Sequence, residues 1–347
     1  MKWSNYEASF IKTAIDAGHD EEYRAKYLSI AHRLFISGVP IIFDQFHLSN
    51  LVGIKYEYLL KVSNSQSLFY RYFRISKKNG GYRKIAEPLP NLKLIQRWIL
   101  EEILNKYKVS EFAKAYRKNV SLRENAKFHR KQSKVLSLDI KDFFGSIKHI
   151  EVFYLFKTLG YPREVSAMLA NICTLKGSLP QGAITSPAIS NIIMKVIDKR
   201  LAGYAIKNKI RYTRYADDLT FSGDFDEGRL IKFVEEVLKS KGFELNNKKT
   251  RVRFQHQRQE VTGVVVNEKI QATREMRKNL RKNMYYIKKY GLDSHIERIN
   301  TEKTSYVKHL LGIANFIYFL NEKDKEVELY LKELKEIWRE ISFITKH

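Results

Sequence analysis

The sequence has very little cysteine and no long hydrophobic run, and each shortage excludes a class of protein. One cysteine, Cys173, among 347 residues rules out an intramolecular disulfide framework and fits a reducing compartment. The longest apolar run, residues 310–320, is interrupted by Asn315 and is much shorter than the roughly 20 residues of a membrane-spanning helix. The first residues, MKWSNYE, contain no apolar signal core. We therefore expect a cytoplasmic protein with no membrane partner, in which residues 310–320 form a buried core helix.

Acidic residues are scarce relative to basic ones. The chain has 63 lysine and arginine residues against 38 aspartate and glutamate residues, a formal net charge of +25, while 44% of its residues are hydrophobic. A surplus this large on a chain that can fold indicates a polyanionic partner, most often nucleic acid and less often an anionic membrane surface. The nine histidines are scattered without metal-ligand spacing, so no zinc site is expected.

Two adjacent carboxylates, Asp217 and Asp218, stand near the centre of residues 210–222, IRYTRYADDLTFS. Aromatic and β-branched residues on both sides favour strands, and the Asp pair favours a tight turn between them. Two interpretations are open at this point. The pair could be a solvated polar turn, or it could bind a divalent cation, because adjacent carboxylates repel one another and hard oxygen ligands suit Mg²⁺.

The remaining patterns predict a mixture of helices and strands. Residues 68–86 are typical of a hairpin around Asn79-Gly80 that carries six basic residues, and residues 135–140 of a buried strand that delivers Asp139 near its end. Helices are predicted over residues 1–60, 92–107, 150–159, 164–175, 187–205 and 227–242 and from 273 onwards, and strands over 243–254 and 260–266. This order predicts an α+β fold in which a palm-like sheet is flanked by helices.

Three motifs occur in a particular order along the chain. Asp139 at a strand end is followed by Pro-Gln-Gly at residues 180–182 and by Tyr-Ala-Asp-Asp at residues 215–218. This ordered set resembles the palm of reverse transcriptases. The resemblance extends over roughly residues 65 to 320.

Two short stretches narrow the resemblance. Residues 125–129, Asn-Ala-Lys-Phe-His, are similar to the Asn-Ala-x-x-His signature of retron reverse transcriptases, and residues 261–263, Val-Thr-Gly, match a second signature of that family. Taken alone, Asn125 could simply cap a helix, and residues 261–263 could be an ordinary strand end. In their places around the palm motifs, they make the chain resemble a retron-type bacterial reverse transcriptase.

The resemblance implies a right-hand polymerase with fingers, palm and thumb, an antiparallel palm sheet, and helical N-terminal and C-terminal parts. We expect an N-terminal helical extension over residues 1–64, fingers over 65–135, a palm over 136–266 with a finger insertion at about 150–185, and a helical thumb over 267–347.

The resemblance also implies two-metal nucleotidyl transfer with Mg²⁺, for which Mn²⁺ could substitute. Asp139, Asp217 and Asp218 would be both the catalytic residues and the metal ligands. Phe144, five residues after Asp139, would be the steric gate that excludes a ribose 2′-hydroxyl, unless it is a core residue like Phe143.

Further nucleotide-binding residues follow from the same resemblance. Arg83 at the end of the basic hairpin would pair with the triphosphate, and Lys77 or Lys78 would assist it. Gln181 would contact the nucleotide. Lys249 would lie near the pyrophosphate, although a solvated lysine is an open alternative.

Sequence position 184 departs from the family pattern. Ile184 stands where relatives often carry proline, and we expect this substitution to make the loop around Gln181 less rigid.

A third group is predicted to bind RNA. Basic residues at helical spacing, with Met284, Tyr285 and Tyr286 between them, suit a duplex or stem-loop backbone at the start of the thumb, although they could form a solvated helix face. With the two signatures, the RNA-binding set is Asn125, His129, Val261, Thr262, Gly263, Arg274, Arg277, Lys278, Arg281 and Lys282.

The function implied is that of a retron reverse transcriptase, which makes RNA-linked single-stranded DNA (msDNA) from its cognate structured non-coding RNA and deoxynucleoside triphosphates. The resemblance further implies priming from a guanosine 2′-hydroxyl, a separate RNase H, an effector protein as partner and a role in antiphage defence. Two alternatives remain open: another bacterial reverse transcriptase, of the group II intron or diversity-generating type, and a non-catalytic RNA-binding structural subunit.

Overall fold

The computed structural model describes residues 2–77 and 80–344. They fold into two compact units, each assembled from separate chain segments. Unit 1 comprises Met1–Tyr116, Ile140–Leu201 and Val234–Leu245, and unit 2 comprises Arg117–Asp139, Ala202–Phe233 and Asn246–His347. The finer division into extension, fingers, palm and thumb stays a prediction.

The described residues form sixteen α-helices and eight strands. The helices are α1 (Trp3–Asp16), α2 (Glu21–Ile36), α3 (Gln45–Val52), α4 (Tyr56–Asn64), α5 (Pro90–Trp98), α6 (Leu122–Phe128), α7 (Phe143–Ser146), α8 (His149–Thr158), α9 (Arg163–Cys173), α10 (Ser186–Ile193), α11 (Lys195–Lys207), α12 (Glu227–Lys239), α13 (Arg274–Tyr290), α14 (Leu292–Ile299), α15 (Lys303–Leu320) and α16 (Lys325–Ile344). The strands are β1 (Tyr70–Ser76), β2 (Tyr82–Pro88), β3 (Lys134–Asp139), β4 (Arg211–Tyr215), β5 (Asp218–Gly223), β6 (Arg251–Phe254), β7 (Glu260–Val261) and β8 (Val264–Val265). The mixed α+β class is confirmed.

Unit 1 begins with the predicted helical region and the predicted basic hairpin. Asp20 and Asp44 cap α2 and α3 by accepting hydrogen bonds from backbone N–H groups, and Gly53 ends α3 in the left-handed conformation at a φ of 72°. Strands β1 and β2 pair antiparallel from Tyr70↔Pro88 to Ser76↔Tyr82. Lys78 and Asn79, in the turn, lie outside the described residues.

Two predicted helices differ from the structure. The helix expected over residues 92–107 is α-helical only to Trp98, then widens into a π turn (Ile99–Ile103) and tightens into a 3₁₀ turn (Leu104–Lys106). Ile99, Ile103 and Leu104 are all buried, so core packing overrides the regular period. The helix expected over residues 187–205 is divided into α10 and α11.

Unit 2 is built on a four-stranded sheet in the order β4-β5-β3-β6, with every pair antiparallel. The predicted antiparallel palm sheet is therefore present. The strand expected over residues 243–254 is only Arg251–Phe254, because Asn247–Lys249 form a 3₁₀ turn that brings a lysine to the sheet edge. The strand expected over 260–266 is the two-residue hairpin β7–β8.

A second core in unit 2 holds the C-terminal helices together. Buried residues of β7, β8, α13, α15 and α16 form one apolar cluster, which includes Val261, Met284 and Leu310. Residues 310–320 lie within α15, whose Leu310, Ala314, Ile317 and Leu320 are buried, as expected of a core helix. No helix among the described residues is both long and apolar enough to cross a membrane.

Candidate active site

The sheet of unit 2 brings the predicted carboxylates together. Asp139 ends β3 directly opposite Asp218, the first residue of β5, and Asp218 is also opposite Tyr215 at the end of β4. Directly opposed residues share one face of a sheet. Asp217 precedes Asp218 in the turn, so the three residues that the sequence separates by up to 79 positions lie at one end of the sheet.

The β4–β5 turn is held in an unusual backbone conformation. Ala216 has a φ of 57°, in the left-handed region that residues with a Cβ seldom adopt. The guanidinium of Arg214, which is fully buried, donates a hydrogen bond to the Ala216 carbonyl at 3.2 Å. Arg214 thus supports the turn that presents Asp217. The sequence contained no signal for this role, since an arginine in a strand is ordinarily exposed.

The carboxylates are close enough to affect one another's ionisation. Burial, together with the negative charges of Asp217 and Asp139, raises the pKa of Asp218 to about 7, and the Lys249 ammonium partly offsets the rise. A divalent cation would relieve this repulsion, and three carboxylates form the hard oxygen donor set that such ions prefer. The three side chains therefore have the chemistry of the predicted metal site, although they do not form a preassembled ligand cluster in this structure.

Both oxygens of Asp139 are engaged by the segment before β6. Lys249 Nζ lies 2.7 Å from Asp139 Oδ2, and Asn246 Nδ2 donates to Asp139 Oδ1 at 3.1 Å. The carboxylate raises the pKa of Lys249. Among the described residues, no three acidic or histidine side chains converge tightly enough to form a ready-made metal cage. The Lys249 ammonium compensates part of the acidic charge instead.

Asn246 was not predicted as a site residue. Its backbone N–H also donates to the Asp139 carbonyl at 2.8 Å, so it anchors the turn that carries Lys249. The sequence signal for Asn246 was the run Asn-Asn-Lys-Lys at residues 246–249, of which the sequence analysis assigned only Lys249 to the site.

Gln181 lies in unit 1, in a loop attached to the basic hairpin. Its carbonyl accepts a hydrogen bond from the Ala86 N–H at 2.9 Å. Gly182 has a φ of 128°, and a Cβ there would lie 2.5 Å from the Ala86 carbonyl oxygen, so only glycine fits. The structure thus explains the glycine of this motif by close backbone approach.

The loop has a buried anchor that the sequence did not reveal. Gln96, fully buried on α5, donates to the Tyr70 hydroxyl and the Ile172 carbonyl, each at 2.9 Å, and accepts from the Ile184 N–H at 3.2 Å. Ile184 therefore supplies a hydrogen bond that proline could not. This N–H joins the loop to the core, and the expectation that Ile184 leaves the loop less rigid stays a prediction.

Gln181 opens onto a groove of about 460 Å³ in unit 1. Its basic lining residues are Arg74, Lys84 and Lys176. Arg83 is exposed on the neighbouring position of β2, opposite Ile75, and is not part of the lining. The groove therefore offers three basic residues that the sequence analysis had not assigned to the nucleotide.

Two other predicted nucleotide-binding residues are also described in unit 1. Phe143 is buried with its ring tilted against that of Phe243, at 6.2 Å between ring centroids, whereas Phe144 is half-buried on α7. Of the two phenylalanines, Phe143 is the core residue. Lys77 is exposed at the start of the hairpin turn, and the alternative choice, Lys78, lies outside the described residues.

Comparisons with known proteins identify the family of the chain. The reverse transcriptase (RNA-dependent DNA polymerase) family model matches residues 75–266. The Escherichia coli retron Ec86 reverse transcriptase is 33% identical over 90% of this chain and 95% of its own length. This chain belongs to the retron reverse transcriptases. It is an RNA-directed DNA polymerase whose family uses divalent metal ions and an RNA template.

Other similar proteins are consistent with that assignment. The retron Mx65 reverse transcriptase of Myxococcus xanthus is 34% identical over 79% of this chain and 67% of its own. A solved telomerase from Candida albicans aligns with 78% of this chain and 59% of its own, at a TM-score of 0.44 and 11% identity, a distant likeness that adds nothing to the assignment.

The Asn-Ala-x-x-His signature of this reverse transcriptase is buried inside unit 2. Asn125 and His129 have no exposed surface. Asn125 does not cap α6, whose N-cap is Ser121 in a capping box with Glu124. Both side chains instead form hydrogen bonds with the palm sheet. The sequence predicted that Asn125 and His129 contact RNA directly. Their position contradicts this prediction, because neither side chain is exposed at the surface.

The Val-Thr-Gly signature forms the turn of the β7–β8 hairpin. Val261 is fully buried in the C-terminal core, so it too has no surface for RNA. Thr262 and Gly263 both have positive φ, 49° and 79°, which is typical of a tight two-residue hairpin turn. Gly263 is exposed and Thr262 half-buried.

The five basic residues from Arg274 to Lys282 that were predicted to bind RNA line one groove in unit 2. The groove, of about 1370 Å³, lies between α13 and the chain on either side of the β7–β8 hairpin. Arg277 is paired with Asp324 at 2.7 Å, and Arg281 holds Glu326 through two hydrogen bonds of 2.7 Å. Arg274, Lys278 and Lys282 are exposed. Arg258 and Lys269 also line the groove and were missed, because they lie on a loop without helical periodicity.

Proposed function

We propose that this retron reverse transcriptase synthesises RNA-linked single-stranded DNA on its cognate structured RNA, with Asp139, Asp217 and Asp218 as its catalytic residues and metal ligands. The observation that carries the proposal is the opposition of Asp139 and Asp218 across paired strands, with Asp217 beside them in a strained turn. The end of a rigid sheet is a suitable support for a site that must hold its groups closely.

Two Mg²⁺ ions, or Mn²⁺ in their place, would activate the attacking hydroxyl and neutralise the leaving pyrophosphate. The chain's own contribution is to hold the carboxylates on one sheet face and to keep an ammonium next to them. Lys249, bonded to Asp139 at 2.7 Å, is the proton-bearing group available near the pyrophosphate.

The incoming deoxynucleoside triphosphate is assigned to residues of unit 1. We place Gln181 against the nucleotide, Arg83 and Lys77 or Lys78 on the triphosphate, and Phe144 against the sugar. Support comes from the half-buried ring of Phe144 beside its buried neighbour, and from the loop that Gly182 allows to approach β2.

The RNA backbone is assigned to the basic groove of unit 2. Charges on Arg274, Lys278 and Lys282 lie on one helix, and Arg277 and Arg281, which pair with Asp324 and Glu326, lie between them. Charged side chains with aromatic neighbours suit phosphates and unstacked bases. Thr262 and Gly263 stand at the tip of a hairpin beside this groove and remain RNA-binding proposals.

The biological setting is proposed on the same basis. DNA synthesis would start from a guanosine 2′-hydroxyl of the RNA, a separate RNase H would remove the template, and the complex would restrain an effector protein in antiphage defence within the cytoplasm. The net charge of +25 supports a polyanionic partner.

One experiment tests the proposal directly. The protein is purified from its native host, and the bound nucleic acid is sequenced with and without debranching. A branched RNA–DNA species is the expected result. Unbranched RNA alone, from a protein that extends a primed RNA template with Mg²⁺, would contradict the retron product while leaving the polymerase activity in place.

A further inference from the structure

Two residues of the retron signature are joined to the hairpin that carries the acidic pair. His129 Nδ1 lies 2.7 Å from Ser222 Oγ on β5, and His129 Nε2 lies 2.8 Å from Thr213 Oγ1 on β4. Thr213 Oγ1 in turn donates to Asn125 Oδ1 at 2.7 Å. All four residues are fully or almost fully buried. One imidazole ring therefore connects the two strands.

Thr213 and Ser222 lie on the same face of the sheet as Asp139 and Asp218. Along β5, Asp218 and Ser222 are an even number of residues apart, and Thr213 on β4 opposes Thr220, which lies between them. Asp139 opposes Asp218 on this face as well. Thr213 thus opposes a residue that lies two positions, one repeat of the pleat, from Asp218 on β5.

The hydrogen bonds form a directed chain. The single proton of the Thr213 hydroxyl is donated to Asn125, so Thr213 accepts from His129 Nε2–H. In the neutral ring, Nδ1 then accepts the proton of the Ser222 hydroxyl. In this arrangement the imidazole bridges a hydroxyl of β4 and a hydroxyl of β5, which leaves little freedom for the two strands to shift relative to each other.

From this geometry we propose that Asn125 and His129 are positioning residues for polymerisation: they fix the register of β4 and β5 and thereby the place of Asp217 and Asp218. They do not read RNA. The proposal rests on the polymerase activity of the family and not on the identity of the RNA. Displacements on the order of 1 Å at a reacting group cost about 100-fold in rate. A hydrogen-bond network that supports the β4–β5 turn is therefore expected to affect turnover.

The test uses a template without any retron structure, so that RNA recognition cannot contribute. Steady-state dTTP incorporation on poly(rA)·oligo(dT) with Mg²⁺ is measured for the full chain and for Thr213→Val, which keeps the side-chain shape and removes the hydroxyl. We expect kcat to fall about 10-fold. The KM for dTTP and the Kd for the primer-template are expected to stay within about twofold of the wild-type values.

Two matched variants separate positioning from packing. Thr213→Ser restores the hydroxyl and should keep kcat within about threefold of wild type. Thr220→Val makes the same substitution on the same face, at the position opposite Thr213, and should behave like wild type. If Thr213→Val does not fold, Ser222→Ala removes only the bond to His129 Nδ1 and should lower kcat about threefold at unchanged KM.

Several results would overturn the proposal. These are a wild-type kcat for Thr213→Val, an equal loss in Thr213→Val and Thr213→Ser, and a loss confined to primer-template binding. Absence of incorporation by the wild-type protein would overturn the polymerase activity and this proposal together, whereas normal incorporation by both Thr213→Val and Ser222→Ala would overturn this proposal alone.

Discussion

The acidic centre of unit 2 and the Gln181 loop of unit 1 are built in opposite ways. In the acidic centre, like charges raise the pKa of Asp218 to about 7, so the site is electrostatically unfavourable by itself. In the loop, Gln96 satisfies a hydroxyl, a carbonyl and a backbone N–H, so the site is rigid without any ligand. The difference teaches that like charges leave one region in need of a counter-charge, while hydrogen bonds within the fold complete the other.

The largest expected effect is the loss of turnover on neutralising the acidic pair. The double substitution Asp217→Asn and Asp218→Asn should lower primer extension by at least about 1,000-fold, because the proposed site would lose two of its three metal ligands. The metal-free variant should melt no lower than wild type, because a repulsion has been removed. Extension kinetics and thermal melting in EDTA check both statements, and retained extension would refute the assignment.

Loss of the Gln96 side chain should have the opposite effect, since it should lower the stability of the fold. Gln96→Leu leaves the Ile184 N–H and the Ile172 carbonyl without their bonds, and we expect a loss of about 2 kcal/mol in the free energy of unfolding. Chemical denaturation measures it. Gln96→Glu is the control, because it retains the acceptor for Ile184. If the fold tolerates the buried charge, Gln96→Glu should have a higher free energy of unfolding than Gln96→Leu at high pH. A Leu variant as stable as wild type would contradict the anchoring role.

The pH dependence distinguishes the two regions further. The pKa of Asp218 in the metal-free fold, about 7, lies well above the usual value of an aspartate, so folding favours the neutral carboxyl. The resulting stabilisation is complete below about pH 4 and is lost as the pH rises through about 7. Because a cation binds the ionised form, Mg²⁺ affinity should rise about tenfold between pH 6 and 8.

Isothermal titration of Mg²⁺ at several pH values checks this expectation. Asp218→Asn should abolish the pH dependence over this range, and so provides the control. A Mg²⁺ affinity that is flat between pH 6 and 8 in the wild-type protein would show that Asp218 is ionised throughout.

The smallest expected effect is that of Ile184→Pro. Proline removes the N–H that Gln96 accepts, and the variant should lose about 1 kcal/mol of stability despite its stiffer backbone. The melting temperature measures this loss. A stabilised variant would show that the family's usual proline outweighs the hydrogen bond, and would weaken the contrast between the two regions.

Much of the candidate site could be predicted from the sequence. Local patterns of hydrophobic periodicity and turn residues predict three of its elements. These are the hairpin around Asp217 and Asp218, the strand ending at Asp139 and the basic helix from Arg274. The roles of Arg214, Asn246 and Gln96 could not be predicted, because each depends on a partner distant in space or on a backbone conformation that no local pattern specifies.

The two signature stretches show where sequence reasoning ends. The sequence by itself determined that residues 125–129 and 261–263 are special and that the chain is a basic α+β protein with a carboxylate pair in a hairpin. Only the tertiary structure decided that Asn125, His129 and Val261 are buried. The physical reason is that burial of a polar side chain depends on whether the fold supplies hydrogen-bond partners, and Thr213 and Ser222 lie more than 80 residues from His129 in the chain.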